Sequence, residues 1–505
     1  MNEKHNGNGY ARVIVLIILI AGILLAERYA PPVVIPSFSS RLVSWDEYHA
    51  KPISLLSDLA TEHKVDMLSA IDTSRRACAS HHPDTLYRTD KSDTLSLHPC
   101  DMLLGSDTLS PPSPMLAKEA KVYHDSVEAQ GVMMIEDFSF DGSEMERLLA
   151  AVRQCKDRSV HIAFMGDSYI EGDIITSELR ASLQRQFGGV GVGFVPLAPN
   201  HVRFRKQVKL RHDGWTEYSV VSPSPVQWQQ MMISGYYYEP NEEAQTEVIL
   251  TTPCDTSCGV SRASLFYVNT LRSQFRYSCS SGADTLLAPA ASPAMQRVSI
   301  DGDIHSVRLS FLDPTGFRGY GVYLQDSVGM YVDNYAVRGT SGVLMRRCGG
   351  ALWGSFAAMI PYDLVILEYG LNVVERDRMH YGSFMKSFSG LIDSVQMIYP
   401  RSSILVMGVG DRGCRERDEV ITMPCIEPFV DAQREVAKEQ GVLFWDTYRA
   451  MGGRGAIAEY VDRGWAAKDY THLSLAGGRE LGRKLYEAIM VEVNRPRGAQ
   501  GYDGD

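Results

Sequence analysis

The stretch His161-Ile162-Ala163-Phe164-Met165-Gly166-Asp167-Ser168-Tyr169 decides the fold, because a short apolar run leads directly into a Gly-Asp-Ser turn. The pattern predicts a buried strand with Ser168 just beyond its carboxyl end. A serine hydroxyl held there can act as a nucleophile if a base is close enough to take its proton. The tripeptide alone is also compatible with a simple turn in which Asp167 or Ser168 caps the next helix.

A base and a group to orient it occur together near the C-terminus, in Asp469-Tyr470-Thr471-His472. The spacing allows the Asp469 carboxylate to bind one ring nitrogen of His472 while the other nitrogen points toward a serine. The same pair could instead cap the helix that the apolar periodicity predicts over residues 474–489.

Candidate oxyanion donors follow two further extended segments. Residues 363–369 have the pattern of a buried strand, and Asn372 comes just after it. Gly339 and Gly342 lie in a turn after the extended run 329–337. A positioned amide N–H that meets the negative charge of an acyl-transfer transition state is typically worth ~10²–10³ in rate.

Ser168, Gly342, Asn372 and His472, in this order, resemble the SGNH (GDSL-type) hydrolase superfamily, whose name lists these four residue types. The resemblance implies that Ser168 is the nucleophile and that His472 is the base, oriented by Asp469. It also implies an oxyanion hole made of the Ser168 backbone N–H, the Gly342 N–H and the Asn372 side chain. No metal and no organic cofactor is expected.

The segment around Ser168 is similar to the branch of this superfamily that contains bacterial peptidoglycan O-acetylesterases. The similarity rests on residues 166–173 and on the glycine-rich run 187–194. Gly342 matches the family glycine better than Gly339, which remains the alternative. Tyr169 stands where that branch typically has histidine.

The predicted fold class is α/β: a doubly wound, flavodoxin-like parallel sheet, as in SGNH hydrolases, with an inserted antiparallel β-sandwich and an N-terminal membrane segment. A chain of 505 residues exceeds what one core usually organises. The segments are a signal anchor or signal peptide at 1–30, a low-periodicity tether at 31–130, a catalytic domain at 131–202 and 326–495, the insertion at 203–325, and a flexible tail at 496–505.

The short, alternating segments of the insertion predict antiparallel strands. The family resemblance implies a carbohydrate-binding-module-like domain at this point. The insertion is rich in aromatic residues, which either stack on sugar rings or fill the core of the domain: Trp215, Trp228, Tyr236, Tyr237 and Tyr238.

The N-terminus has the features of a targeting signal. Lys4 and Arg12 precede an unbroken apolar run of fourteen residues from Val13 to Ala26. Because no convincing cleavage site follows, an uncleaved anchor in the inner membrane is favoured over a cleaved signal peptide, with the rest of the chain in the bacterial periplasm. The net charge of −11 and the lack of a long basic run make nucleic acid an unexpected partner.

Nine cysteines are compatible with an oxidising compartment. Cys414 with Cys425, and Cys254 with Cys258, are candidate local disulfides. No Cys-x-x-Cys pattern occurs, so a structural zinc site is not expected.

Three functions are compatible with these residues. The first is an exported serine esterase that removes O-acetyl groups from a cell-envelope carbohydrate such as peptidoglycan. The second is a polysaccharide O-acetyltransferase that uses the same residues together with a membrane acyltransferase partner. The third is a non-catalytic glycan-binding protein on the same fold. Glu368, within the strand that precedes Asn372, is a candidate to orient the site.

Overall fold

The structure, a computed structural model, describes residue 127 and residues 131–200, 205–223, 226–251 and 259–495. The predicted membrane segment 1–30, the tether 31–130 apart from residue 127, and the tail 496–505 lie outside the described residues. Within the described ranges, no helix is long and apolar enough to cross a membrane.

The described part of the chain alternates strands and helices at both ends and has strands alone in its middle. The strands are β1 (Glu136–Asp137), β2 (Ser159–Gly166), β3 (Gly193–Pro196), β4 (Val208–Ser219), β5 (Tyr236–Leu250), β6 (Val260–Asn269), β7 (Gln274–Cys279), β8 (Asp284–Leu287), β9 (Ser292–Ile304), β10 (Ser306–Asp313), β11 (Phe317–Gln325), β12 (Gly329–Ala336), β13 (Leu364–Glu368), β14 (Ser403–Met407), β15 (Gly413–Glu416), β16 (Glu419–Thr422) and β17 (Leu443–Trp445). The helices are α1 (Ser143–Arg153), α2 (Thr176–Phe187), α3 (Gly350–Met359), α4 (Gly382–Ile398), α5 (Ile426–Gln440), α6 (Thr447–Met451), α7 (Ala456–Asp462) and α8 (Leu475–Asn494).

A six-stranded sheet forms the centre of the α/β part, in the order β12-β2-β13-β14-β17-β1. Its first five strands are parallel, and β1 joins the edge antiparallel to β17. Numbered along the chain, the parallel strands have the spatial order 2-1-3-4-5, which is the flavodoxin-like arrangement. The predicted doubly wound sheet is therefore confirmed. Its strand order reverses between β2 and β13, where such folds bind ligands beyond the carboxyl ends of the strands.

Burial explains why these strands are apolar on both faces. Every residue of β13 and of β14 is buried, as expected when helices cover both faces of a parallel sheet. Two groups of helices provide that cover: α8 packs against α1 and α2, and α4 packs against α3 and α5.

The middle of the chain forms a second, nine-stranded antiparallel sheet, in the order β8-β7-β10-β5-β11-β6-β9, with β3 paired to β11 and β4 paired to β5. The sheet curls onto itself. The rings of Tyr267 in β6 and Phe275 in β7 are 5.2 Å apart, although four inter-strand steps of about 4.8 Å would separate them in a flat sheet. Its two halves therefore face each other across an apolar core, as in a sandwich.

Three details differ from the sequence-based expectations. The second sheet begins with β3 at Gly193, before the predicted start of the insertion at residue 203. Tyr237 and Tyr238 are buried, so their faces are unavailable for stacking on a sugar. Cys414 and Cys425 are free thiols rather than a disulfide; the pair Cys254 and Cys258 lies outside the described residues.

Candidate active site

The Gly-Asp-Ser turn follows β2 directly and presents Ser168 at the carboxyl edge of the central sheet. Asp167 is fully buried, and its Oδ1 accepts a hydrogen bond of 2.9 Å from the backbone N–H of Tyr169. This bond fixes the turn, as expected for an aspartate that braces its own loop. Tyr169 points inward, with its hydroxyl donating to Sδ of Met451. Ser168 is the half-buried member of the turn.

The structure brings Ser168, His472 and Asp469 into one hydrogen-bonded chain. Ser168 Oγ lies 3.2 Å from Nε2 of His472, and His472 Nδ1 lies 2.7 Å from Oδ2 of Asp469. The other carboxylate oxygen, Oδ1, accepts the backbone N–H groups of Thr471 and His472. Each ring nitrogen of His472 thus has a separate partner, which is the geometry that a serine nucleophile and its base require.

Close packing of two helices brings the two loops together. α2 follows the Ser168 loop, and α8 follows the His472 loop. A Cβ on Gly478 in α8 would lie 2.1 Å from Cγ2 of Ile174, just before α2 begins. Because any larger side chain at this position would push the helices apart, Gly478 helps to keep the imidazole within reach of the hydroxyl.

The environment of Asp469 favours its charged form. Burial by itself would raise the pKa of this carboxyl, but the hydrogen bonds from the His472 ring and from the N–H groups of His472 and Thr471 outweigh it and lower the pKa below its ordinary value. A carboxylate that stays ionised can hold the imidazole in one tautomer and stabilise its protonated form.

Asn372 connects the Gly-Asp-Ser turn to the turn that contains Gly339 and Gly342. Its Nδ2 donates to Oδ2 of Asp167 at 2.7 Å and to the carbonyl oxygen of Thr340 at 3.0 Å. The side chain thus joins the Gly-Asp-Ser turn to the glycine turn after β12. Each of the two amide hydrogens points to one of these acceptors. An oxyanion would be a third acceptor and would have to share an amide hydrogen with Asp167 or Thr340.

The glycine turn distinguishes its two glycines. Gly342 is buried, has a φ of 80°, and donates its N–H to Oγ1 of Thr340 at 3.1 Å. A Cβ on Gly342 would lie 2.6 Å from the ring of Tyr369. Gly339 has a φ of 76°, with open space where a Cβ would be. Gly342 is therefore the glycine packed into the site, whereas Gly339 lies at the exposed side of the turn; which N–H serves an oxyanion stays a prediction.

Two acids lie below the nucleophile. Burial raises the pKa of Asp167 to about 7, partly offset by the Tyr169 N–H, the charge of His472 and the Asn372 amide. Burial, followed by the charge of Asp167, raises the pKa of Glu368 well above its ordinary value. The sequence placed Glu368 in a strand and made it a candidate to orient the site; the structure places its carboxyl group beside the Gly-Asp-Ser turn.

Thr340 is the site residue that the sequence analysis missed. Its carbonyl oxygen binds Asn372 and its hydroxyl binds the Gly342 N–H. Its position between the two glycines was the only available signal. Among the described residues, no group of three or more His, Cys, Asp or Glu side chains is placed to hold a metal ion.

Comparison with known proteins identifies the architecture. No family model and no curated protein matches this chain. Among solved structures, a peptidoglycan O-acetylesterase matches with a TM-score of 0.60 and 20% identity, over 72% of this chain and 99% of that one. Two other solved structures match with TM-scores too low to support an argument. One is a family two carbohydrate esterase from Cellvibrio japonicus, with a TM-score of 0.23 and 9% identity over 56% of this chain and 99% of that one. The other is an acetyl xylan esterase, with a TM-score of 0.25 and 17% identity over 32% of this chain and 81% of that one.

The match with the peptidoglycan O-acetylesterase spans 99% of that protein and 72% of this chain. Its identity is low, so the likeness concerns the fold. The chain therefore shares its fold, an α/β part with a flavodoxin-like parallel sheet and a second antiparallel sheet, with this solved structure.

Proposed function

We propose that this protein is a serine esterase that removes O-acetyl groups from a cell-envelope carbohydrate, with peptidoglycan as the first candidate. The observation that carries the proposal is the contact of 3.2 Å between Ser168 Oγ and His472 Nε2, made by residues 304 positions apart in the chain. A contact of this kind has no evident structural purpose at a half-exposed sheet edge, and it is the contact from which a serine nucleophile is generated.

The mechanism follows from the contacts. As Ser168 Oγ attacks the ester carbonyl carbon, its proton passes to His472 Nε2, and Asp469 stabilises the imidazolium through Nδ1. Backbone N–H groups and Asn372 stabilise the tetrahedral oxyanion. The intermediate then collapses, His472 returns the proton to the leaving alkoxide of the carbohydrate, and an acyl-enzyme remains on Ser168. A water molecule activated by His472 releases the acid in the same way.

A cleft of about 90 Å³ beside the nucleophile loop supports a hydroxyl-rich substrate. Glu171 and Glu217 contribute carboxylate groups to its wall. Sugars offer donors and acceptors that such a lining can satisfy. We place peptidoglycan first among such polymers because a solved structure that matches this fold with a TM-score of 0.60 is that of a peptidoglycan O-acetylesterase.

The apolar N-terminal run supports membrane attachment, with the esterase region in the bacterial periplasm, where peptidoglycan lies. An acylated envelope polysaccharide is then the proposed partner. A membrane acyltransferase would be a second partner only if the acyl-enzyme passed its acetyl group to a sugar instead of to water.

The test uses the full chain in mild detergent, with p-nitrophenyl acetate and O-acetylated peptidoglycan as substrates. We expect acetate release by the wild type and a loss of at least about 10³-fold in Ser168→Ala. Ser387→Ala, a surface serine of α4 whose hydroxyl bonds only within its helix, serves as the matched control and should keep wild-type activity. Retained activity in Ser168→Ala would reject the proposal, and acetyl transfer to an added glycan would replace hydrolysis by transfer.

A further inference from the structure

A short segment after β14 contacts the nucleophile loop. We call residues 410–413 the linking segment; it follows β14 and enters the hairpin of β15 and β16. A Cβ on Gly410 would lie 2.5 Å from the hydroxyl oxygen of Tyr169, the residue after the nucleophile. The N–H of Asp411 and that same hydroxyl share one acceptor, Sδ of Met451. The linking segment is therefore packed against the Gly-Asp-Ser turn.

The side chain of Arg412 reaches the loop that carries Asn372. Its Nη1 donates to the carbonyl oxygens of Leu371 at 3.0 Å and of Val374 at 3.4 Å. These carbonyls flank Asn372 in a fully described loop that has no helix or strand between β13 and α4. Asn372 is itself exposed, so packing does little to hold it. The arginine therefore constrains this loop from outside it.

The backbone of Gly413 reaches the loop that carries Asp469 and His472. Its N–H donates to the Tyr470 carbonyl oxygen at 2.9 Å, and a Cβ on Gly413 would lie 2.9 Å from Cβ of Tyr470. Tyr470 has a φ of 54°, a conformation that costs free energy in any residue other than glycine. A strained residue of this kind persists only where its surroundings hold it. Gly413 therefore helps to hold the loop in the shape that points His472 at Ser168.

The central sheet fixes the start of the linking segment. The N–H of Gly408 donates to the Trp445 carbonyl oxygen at 3.0 Å, and the N–H of Val409 donates to Oε1 of Gln433 at 2.9 Å. Gln433 is fully buried, and its Nε2 donates to the Tyr369 carbonyl oxygen, just after β13. Because buried hydrogen bonds hold its start, the linking segment can set the position of the loops that it contacts.

We propose that Arg412 is a positioning residue: together with Gly413, it holds the Asn372 loop and the His472 loop at a fixed separation, so that the oxyanion donor and the base act on the same ester group. The inference rests on the proposed esterase function. Arg412 and Gly413 are adjacent in the chain, so the two loops share one support. A small displacement of a positioned group strongly lowers the rate of the chemical step and leaves ground-state binding largely unchanged.

The substitution Arg412→Met removes the donors and keeps an unbranched apolar stem. We expect kcat for p-nitrophenyl acetate to fall about 10-fold, with KM unchanged within about two-fold. Arg412→Lys should restore kcat to within about three-fold of the wild type, because one ammonium nitrogen can donate to both carbonyls, as Nη1 does. In the Asn372→Ala background, Arg412→Met should lower kcat by less than about two-fold, because the group that it positions is already absent.

Gly413→Ala tests the second contact. The φ of Gly413 is not in the left-handed region, so an alanine adds a methyl group against Tyr470 without straining its own backbone. We expect a kcat about 10-fold lower. The control is Gly354→Ala in α3, where nothing lies within 4 Å of the added Cβ; it should keep the wild-type kcat.

The matched control for Arg412 is Arg147→Met. Arg147 also donates to a backbone carbonyl oxygen next to β14, that of Ser402 at 3.0 Å, but at the amino end of the strand. It should leave kcat unchanged. The inference is wrong if Arg412→Met keeps full kcat, or if it loses the same factor with and without Asn372. Should Arg412→Met not fold, a fully active Gly413→Ala would overturn the inference.

A fluorophosphonate that labels nucleophilic serines, applied to the full chain in mild detergent, distinguishes this failure from failure of the proposed function. A wild type that is labelled at Ser168 and cleaves esters, together with a fully active Arg412→Met, contradicts only the role of Arg412. A wild type that neither cleaves esters nor reacts with the probe overturns both proposals, because no activated nucleophile is then present to be served.

Discussion

The two sides of the candidate site differ in burial. The site floor, which we define as Asp167 and Glu368, is at most 1% exposed. Asn372, which donates to Asp167, is itself exposed. The site rim, which we define as Asp469 and His472, has side chains that are 51% and 44% exposed. The floor can thus hold fixed dipoles in a low-dielectric setting, whereas the rim exchanges protons with water. An acyl-enzyme cycle needs both environments, because the oxyanion requires prepositioned donors and deacylation requires water.

The backbone explains the same contrast. The floor follows β2 and β13 within a few residues, so the central sheet fixes its position. The rim is held by a loop in which Tyr470 has a φ of 54°. That loop is tied down by a bridge between Ala466 and Leu473 and by a bond from the Gly413 N–H to the Tyr470 carbonyl. The floor depends on packing, and the rim depends on local turns.

The largest effect should come from the rim. We expect His472→Ala to lower kcat by at least about 10³-fold, because Ser168 then lacks a base, while thermal stability changes little at this exposed position. Steady-state kinetics and thermal melts measure the two effects. His305→Ala, at an exposed histidine of the second sheet, is the control. A variant that melts far below the wild type would show that the rim, contrary to our view, supports the fold.

Asn372→Ala should affect both activity and stability, because its amide bonds to Asp167 of the floor and to the Thr340 carbonyl. We expect kcat to fall about 10²–10³-fold through loss of an oxyanion donor. The melting temperature should also fall, because Asp167 and the Thr340 carbonyl each lose a donor. The same kinetic and melting experiments apply. A loss of stability with an unchanged kcat would make Asn372 a structural brace alone.

The two glycines of the turn test how far the floor extends. Alanine is strained at the positive φ of either residue, at a cost of about 1–2 kcal/mol. The alanine Cβ of Gly342→Ala would also clash with the ring of Tyr369, so this variant should lose about 1–3 kcal/mol more of the free energy of unfolding. The alanine Cβ of Gly339→Ala would lie in open space. Chemical denaturation of both variants gives the difference. Equal losses would show that Gly342 is not packed into the floor as described.

The smallest effect concerns pH. The folded-state pKa of Asp167, about 7, and that of Glu368 are both raised. Raised acids stabilise the fold below their unfolded pKa values, and this contribution is lost as pH rises through the folded values. Stability should therefore fall between pH 5 and pH 8. Asp173 and Asp469 have lowered pKa values, so they change the stability only at pH values near and below 3.8, outside this window.

Glu368→Gln removes one of the two acids, so its melting temperature should fall less than that of the wild type over the same range. We expect a difference of about 2–4 °C, measured by differential scanning fluorimetry at the two pH values. Asp411 and Asp333, whose pKa values are also raised by burial, are present in both proteins and cancel in the comparison. A steeper fall in the variant would contradict a pKa of Glu368 raised by burial.

Much of the architecture could be predicted because its signals are local. Apolar runs gave the strands at 364–368, 403–407 and 443–445, and periodicity gave the helix at 176–187. The residues brought together at the sheet edge were also named in advance, since each follows a strand or precedes a helix. The boundary of the second sheet was missed because β3 is a short segment whose pairing with β11 depends on a strand far along the chain.

The sequence by itself determined the residue types of the site and the order of the elements that carry them, because strand and helix periodicity and turn chemistry act over a few neighbouring residues. Only the tertiary structure decided that Ser168 touches His472, that Thr340 joins Asn372 to the glycine turn, and that Glu368 lies buried beside Gly166. These contacts join positions that are 32 to 304 residues apart. They exist because the helices and sheets pack closely, and no local pattern records that packing.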